Sequence, residues 1–290
     1  MLILNSNFKH KRGFTLIELV MVLVVLAIVS VGITRFIRSS TQIFIDTSER
    51  ERLLREGSFA VERINREISD AVPNSVRLTG NAAVHCLQFV PIKWSTFYLT
   101  LPLTPTLDRE MDVFEMQDID GNVFTPSNNS DFALVYPTSA DDVYSNTSNK
   151  RHLITACSDD GDGNCATDDD ADGVVQLNLN GAFSQASPAK RMYIANAAVN
   201  YCVRNNAIYR HESSIAPTQT TFTTGGVLMA ENLANVLSVD PNSAGANNQN
   251  PFRVVDASLR RNAYTQTQFI FTRDSEYMTF TQEIHVPNVP

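Results

Sequence analysis

The sequence predicts an α+β chain in which one long N-terminal helix packs on antiparallel β-sheet. Three observations predict it. From Phe14 to Ile33 the chain is almost continuously apolar, and from Thr34 to Val72 it holds no proline and draws a single apolar stripe. After Pro73, short runs rich in β-branched and aromatic residues alternate with turn signals.

Composition limits what such a chain can do. Hydrophobic residues make up 43% of the 290 and charged residues 19%, with 12 Gly and 12 Pro. Those values exclude collagen-like, coiled-coil and wholly disordered classes. A net charge of −8 argues against a nucleic-acid binder, which needs a basic face, and no basic stripe exists outside residues 9–12.

The helix comes first. Lys9, His10, Lys11 and Arg12 form a basic cluster ahead of the apolar run. Twenty residues at ~1.5 Å of rise cover roughly 30 Å, the thickness of a hydrocarbon core, and the basic flank predicts a cytoplasmic N-terminus. The chain beyond is then extracytoplasmic. A secretory signal peptide cleaved near Ser30 or Gly32 is the alternative. Glu18 opposes it, because a carboxylate at membrane depth costs on the order of 3 kcal/mol unless it has a partner or a function. Farther along, Leu53, Gly57, Ala60, Val61, Ile64, Ile68 and Ala71 recur at three- and four-residue spacing, while Arg52, Arg55, Glu56, Glu62, Arg63 and Arg66 fall largely elsewhere. Pro73 ends the pattern. The expected helix thus runs from about 14 to 72, with a membrane-spanning half at 14–37 and an amphipathic half at 38–72 that packs on the sheet.

Strands are expected at Ala83–Ile92, Thr96–Leu101, Phe132–Tyr136, Val174–Leu179, Lys190–Ile194, Ala198–Val203, Ala207–His211, Thr267–Phe271 and Met278–Val286. Arg204-Asn205-Asn206 reads as the short turn of a hairpin. Polar stretches at Asp141–Lys150 and Asp240–Pro251 read as surface loops. Trp94, Phe97 and Tyr98 read as sheet core, or else as an exposed aromatic ligand site.

Residues Lys11-Arg12-Gly13-Phe14-Thr15-Leu16-Ile17-Glu18-Leu19 resemble the type IV prepilin signature. The resemblance implies a pilin fold and removal of residues 1–13 by a prepilin peptidase that cuts between Gly13 and Phe14 and methylates the new N-terminus. Cleavage takes away Lys9, Lys11 and Arg12 and moves the formal charge from −8 to −11. Glu18 becomes the fifth mature residue, placed to pair with the α-amine of a neighbouring subunit. Arg52–Arg55, Ala60–Ile68, the Tyr201–Arg210 hairpin and the terminus His285–Pro290 further resemble the large minor pilins of MSHA-type systems, relatives of PilW-type minor pilins and J-type pseudopilins. Length, and the lack of a cysteine pair near the end, set the chain apart from major pilins; Glu18 sets it apart from K-type tip pseudopilins. The functions implied are initiation, priming or capping of an MSHA-like type IV pilus, or the J-type role in a type II secretion system. A membrane-anchored adhesin is a third class. The partners implied are the prepilin peptidase, other minor and major pilins reached through the helix, and the assembly platform; no nucleic acid is expected. The location implied is the inner membrane, single-pass, with residues 73–290 forming a periplasmic β-rich domain, or the pilus tip on the cell surface.

Four cysteines permit three pairings. Cys157 and Cys165 bracket a short loop and Cys86 and Cys202 lie in strand-like runs, which favours Cys157–Cys165 with Cys86–Cys202 in an oxidising compartment. No second cysteine or histidine stands at zinc-site spacing. Asp168, Asp170, Asp172 and Gly173 follow the opening of a calcium loop, but its twelfth position is Leu179, so the shell would need Asp160, Asp162 and Asn164. Calcium is the cofactor expected on that reading; a solvated acidic loop with no cofactor is the other. His10, His85, His152, His211 and His285 are scattered, and no catalytic motif is present, so the chain is not expected to be an enzyme.

Overall fold

The computed structural model describes residues 13–159, 165, 172–243, 248–255, 264–273 and 276–285. The chain divides into two compact units, Met1–Arg52 and Leu53–Pro290. Helix α1 (Leu16–Ser69) runs from the first into the second.

Within the first unit, α1 buries none of its most apolar stretch, which is long and apolar enough to cross a membrane. In the second, the helix turns one side inward: Leu53, Gly57, Ala60, Val61, Ile64 and Ile68 are buried. Fully burying a residue such as Leu53 or Ile64 contributes about 1.5–3 kcal/mol. The charged residues stay outside and pair along the helix, Glu62 with Arg66 and Arg63 with Glu67. The helix ends at Ser69, three residues short of the expected Val72. Ala71 instead bridges to Pro91 and the Val72 amide donates to Val90 O, because the residue before a proline prefers extended backbone.

Beyond the helix the elements follow in order. They are β1 (Arg77–Asn81), β2 (Val84–Phe89), β3 (Trp94–Phe97), β4 (Glu110–Phe114), β5 (Phe132–Val135), α2 (Ala140–Tyr144), β6 (Arg151–Ser158) and β7 (Val174–Leu179). Then come β8 (Arg191–Ala195), β9 (Ala198–Arg204), β10 (Ala207–Ser213), β11 (Val227–Ala230), β12 (Phe252–Val255), β13 (Tyr264–Arg273) and β14 (Glu276–His285). A five-stranded sheet has the order β1-β2-β9-β10-β11 and a three-stranded sheet the order β12-β13-β14. The buried side of α1 packs on both, against Leu87, Phe89, Tyr201, Ile208, Phe269 and Phe271 among others.

Strands β2 and β9 are neighbours, so everything between them is an insertion. That insertion forms a sheet of its own, ordered β3-β8-β5-β6-β7-β4 with every pair antiparallel. Its two edge strands meet. Tyr98 bridges to Val113, the Leu99 amide donates to Asp112 O at 2.8 Å and the Thr96 hydroxyl donates to Phe114 O at 3.2 Å. The sheet therefore closes into a six-stranded antiparallel barrel filled by side chains such as Met111, Val113, Ile154, Leu177, Phe183 and Met192. A third cluster, including Val72, Val90, Tyr144, Tyr193 and Ala198, joins barrel to sheet.

Several expectations need correction. The Asp141–Lys150 stretch is no simple surface loop: Ser139 caps α2 with a capping box, and Asp142, Val143, Tyr144 and Lys150 are buried. The Asp240–Pro251 stretch is tied down at Asn250, whose amide donates to Ser238 Oγ at 2.8 Å and to Pro241 O at 3.1 Å. The strand expected at Thr96–Leu101 lies earlier, at Trp94–Phe97. In the β9–β10 hairpin the turn is Asn205-Asn206 alone, both with positive φ, and Arg204 closes β9.

At Gly57 helix and sheet come close together. A Cβ there would collide with the ring of Phe280 on β14, itself edge-on to Phe271 at 5.7 Å. Alanine at Gly57 would gain ~1 kcal/mol of helix propensity and lose ~1–3 kcal/mol to overpacking. Thermal denaturation of Gly57→Ala should thus show a lower melting temperature than the parent, although alanine is the better helix former.

Candidate functional site

The N-terminal site is built from backbone first. Residues 13–15 precede the helix in non-helical conformation, Gly13 and Phe14 are exposed, and Phe14 retains 73% of its accessible surface. The Gly13–Phe14 bond is thus in open backbone, the state a peptidase requires. At the helix start the Glu18 amide donates to Thr15 O at 3.1 Å and to Thr15 Oγ1 at 3.4 Å, which occupies one of the free N-terminal amides. Among the described residues none pairs with the Glu18 carboxylate, which lies in the first turn with apolar Leu16, Ile17, Leu19 and Val20 exposed around it. A carboxylate so placed needs a cation to offset the cost of its apolar surroundings.

Residues 8–34 match the family model of the prokaryotic N-terminal methylation motif. The match supports a type IV prepilin-like chain. No curated protein and no solved structure matches it. Motif and apolar helix together are consistent with a pilin-type, membrane-associated protein whose partners are pilins and whose role is structural.

The cysteines form two bridges. Cys86 and Cys202 are directly opposed residues of β2 and β9 with Cα atoms 4.1 Å apart, and Cys157 is joined to Cys165. Asp160, Asp162, Asn164, Asp168 and Asp170 lie outside the described residues. Asp172 is described, and its Oδ1 accepts the Val174 amide at 2.7 Å, a turn contact at the foot of β7. Among the described residues no three of His, Cys, Asp and Glu converge as a metal site would need.

The aromatic triplet divides. Trp94 stacks on Phe124 with centroids 5.2 Å apart, and Tyr98 is buried with its hydroxyl donating to Ser187 O at 3.1 Å. Phe97 alone is 46% exposed, with the Arg191 guanidinium over its ring. Two of the three thus belong to the barrel wall and core.

Buried charges were not foreseeable from the sequence. Asp131 is fully buried and both its oxygens accept Lys93 Nζ at 2.8 Å. Asp142 Oδ2 accepts from the Thr138 amide, the Thr138 hydroxyl and Lys150 Nζ at 2.8–3.1 Å. Burial works against its charge, but these donors prevail and hold the carboxyl at about 2, against an ordinary 3.8. His85 and His152 are buried, which pushes both below the ordinary histidine value of 6.5.

Two measurements follow from this site. Intact mass and N-terminal sequencing of the mature protein should show a chain beginning at Phe14 with a methylated amine; a terminus after residue 29 would support the signal-peptide reading instead. The buried histidines set the pH profile. Folded, they bind protons less readily than unfolded, so the stability they contribute is complete above 6.5 and is lost as pH falls through and below that value. Asp142 adds a second loss below 3.8, as pH approaches its depressed value. Melting temperature should therefore decline in two stages on acidification, and His152→Gln should shrink the first.

Proposed function

We propose that this chain is a minor pilin that initiates, primes or caps an MSHA-like type IV pilus, in the manner of the MSHA biogenesis protein MshO, and polymerises through α1. One observation carries the reading. Glu18, whose carboxylate has no partner among the described residues, lies five residues past Gly13 in an exposed apolar helix, where assembly with a neighbour's α-amine supplies a counter-ion. The size of the head supports a minor rather than a bulk role, because the described residues after α1 form fourteen strands, six of them in the inserted barrel. On this reading the chain is an inner-membrane protein with residues 73–290 in the periplasm until the helix enters a fibre. A prepilin peptidase, other pilins and the assembly platform are its partners.

Glu18→Val tests it. The variant should insert and be processed like the parent, because valine suits the apolar segment and Gly13–Phe14 is untouched. Surface fibres, counted by electron microscopy, should fall to the level of a deletion strain; normal piliation would overturn the reading. Deletion of the whole gene separates the machines: loss of fibres with secretion intact selects the pilus, and the reverse selects the J-type role.

A further inference from the structure

The face of the five-stranded sheet opposite α1 is covered by a strap, residues 214–226, that joins β10 to β11. The strap is fastened at three places. Near its start Arg77 of β1 donates to Ala216 O at 2.8 Å and Pro217 O at 2.7 Å. Midway, Gln219 Nε2 donates to Cys86 O at 2.9 Å and Phe222 packs on Val84, Cys86 and Cys202. At its end Arg204 donates to Gly225 O.

One side chain holds the last two places together. His211 of β10 is only 8% exposed and its ring stacks on Phe222, with centroids 4.3 Å apart and planes at 16°. On the strap side the backbone of Gly226 presses on the same ring, so that a Cβ at Gly226 would collide with it. Gly225 and Gly226 both have positive φ, the left-handed region that glycine reaches without cost. The Nε2 of His211 is buried with no hydrogen-bond partner.

We propose that this strap is an acid-opened cover over the Cys86–Cys202 disulfide, with the His211–Phe222 stack as its latch. A proton on His211 would create a buried cation. The charged group facing it from β9 is Arg204, also a cation, and its own neighbours Arg210 and Glu212 are occupied with each other and with Glu67 on the other side of the sheet. Nothing described there offers a carboxylate to His211, so the charge is relieved by letting the ring and the strap move into water. Burial and Arg204 both favour the neutral ring, which keeps the strap shut at neutral pH. Once open, the strap exposes a disulfide that spans 116 residues and joins the two strands from which the barrel hangs. A phosphine attacking one sulfur breaks the S–S bond and releases the other as a thiolate, and water then displaces the attacked sulfur as a second thiol, leaving the phosphine oxide; a thiolate reductant instead leaves a mixed disulfide that a second thiolate resolves.

The test uses the full chain in detergent micelles, with a water-soluble phosphine as reductant and alkylation plus peptide mapping as readout. Cys157–Cys165 is the internal reference for the effect of pH on the reagent. Relative to that reference, reduction of Cys86–Cys202 should be roughly tenfold faster at about pH 5.5 than at about pH 7.5. His211→Phe, which keeps a stacked ring but cannot take a proton, should be slow at both. Phe222→Ala should be fast at both, while circular dichroism reports an unchanged fold. A pH-independent rate in the parent, or acid acceleration that survives in His211→Phe, would overturn the proposal.

Discussion

The pairing of β2 with β9 is the constraint on which the head depends. Five residue pairs, from His85 opposite Val203 to Phe89 opposite Val199, hold together strands that more than a hundred residues separate. Closing a loop of about 100 residues costs roughly 4.7 kcal/mol of chain entropy, and a disulfide at its base transfers that cost to the unfolded state. Cys86–Cys202 stands at that base. Because the two strands are adjacent, the chain between them leaves and re-enters at one place. It can therefore fold as a closed barrel without disturbing the sheet that receives α1.

Helix α1 obeys a different constraint, since one element has to suit two surroundings. Before residue 38 its apolar residues face outward on every side, which in water is untenable and in a membrane or a bundle of like helices is favourable. After Leu53 only one stripe is apolar and the sheets cover it. Glu18 is the exception to the first regime and Gly57 the most constrained point of the second. The carboxylate has no partner among the described residues, and the glycine admits Phe280 to the helix surface.

What local pattern could reveal, it revealed for α1, for the Ala198–Ser213 hairpin and for long strands such as β13 and β14. Two of the missed strands, β4 and β6, share a cause. β4 and β6 carry polar residues that the barrel buries or pairs: Arg151 and His152 at the start of β6 are 8% and 3% exposed, and the Arg151 guanidinium donates to Val143 O and Ile215 O. Alternation reports a half-buried strand only when its inner face is apolar, so a strand that buries an arginine is invisible to it. α2 was hidden in the same way. Its Asp142 is a polar loop residue by sequence, and it is interior only because Lys150 and Thr138 supply donors that no local rule could assign.

The sequence specifies a candidate N-terminal site because every part of it is local: a basic cluster, Gly13, an apolar run of membrane length and a carboxylate at a fixed offset lie within one continuous segment, and their chemistry does not depend on what folds downstream. It also determined that a helix with one apolar stripe would be followed by antiparallel strands. Long-range packing, by contrast, makes the residues between β2 and β9 close on themselves through Tyr98 and Val113 and sets Phe222 over Cys86 and Cys202. Those outcomes depend on register between segments far apart in the chain, which is fixed by the summed packing and hydrogen bonding of the whole sheet and leaves no trace in any short window of residues.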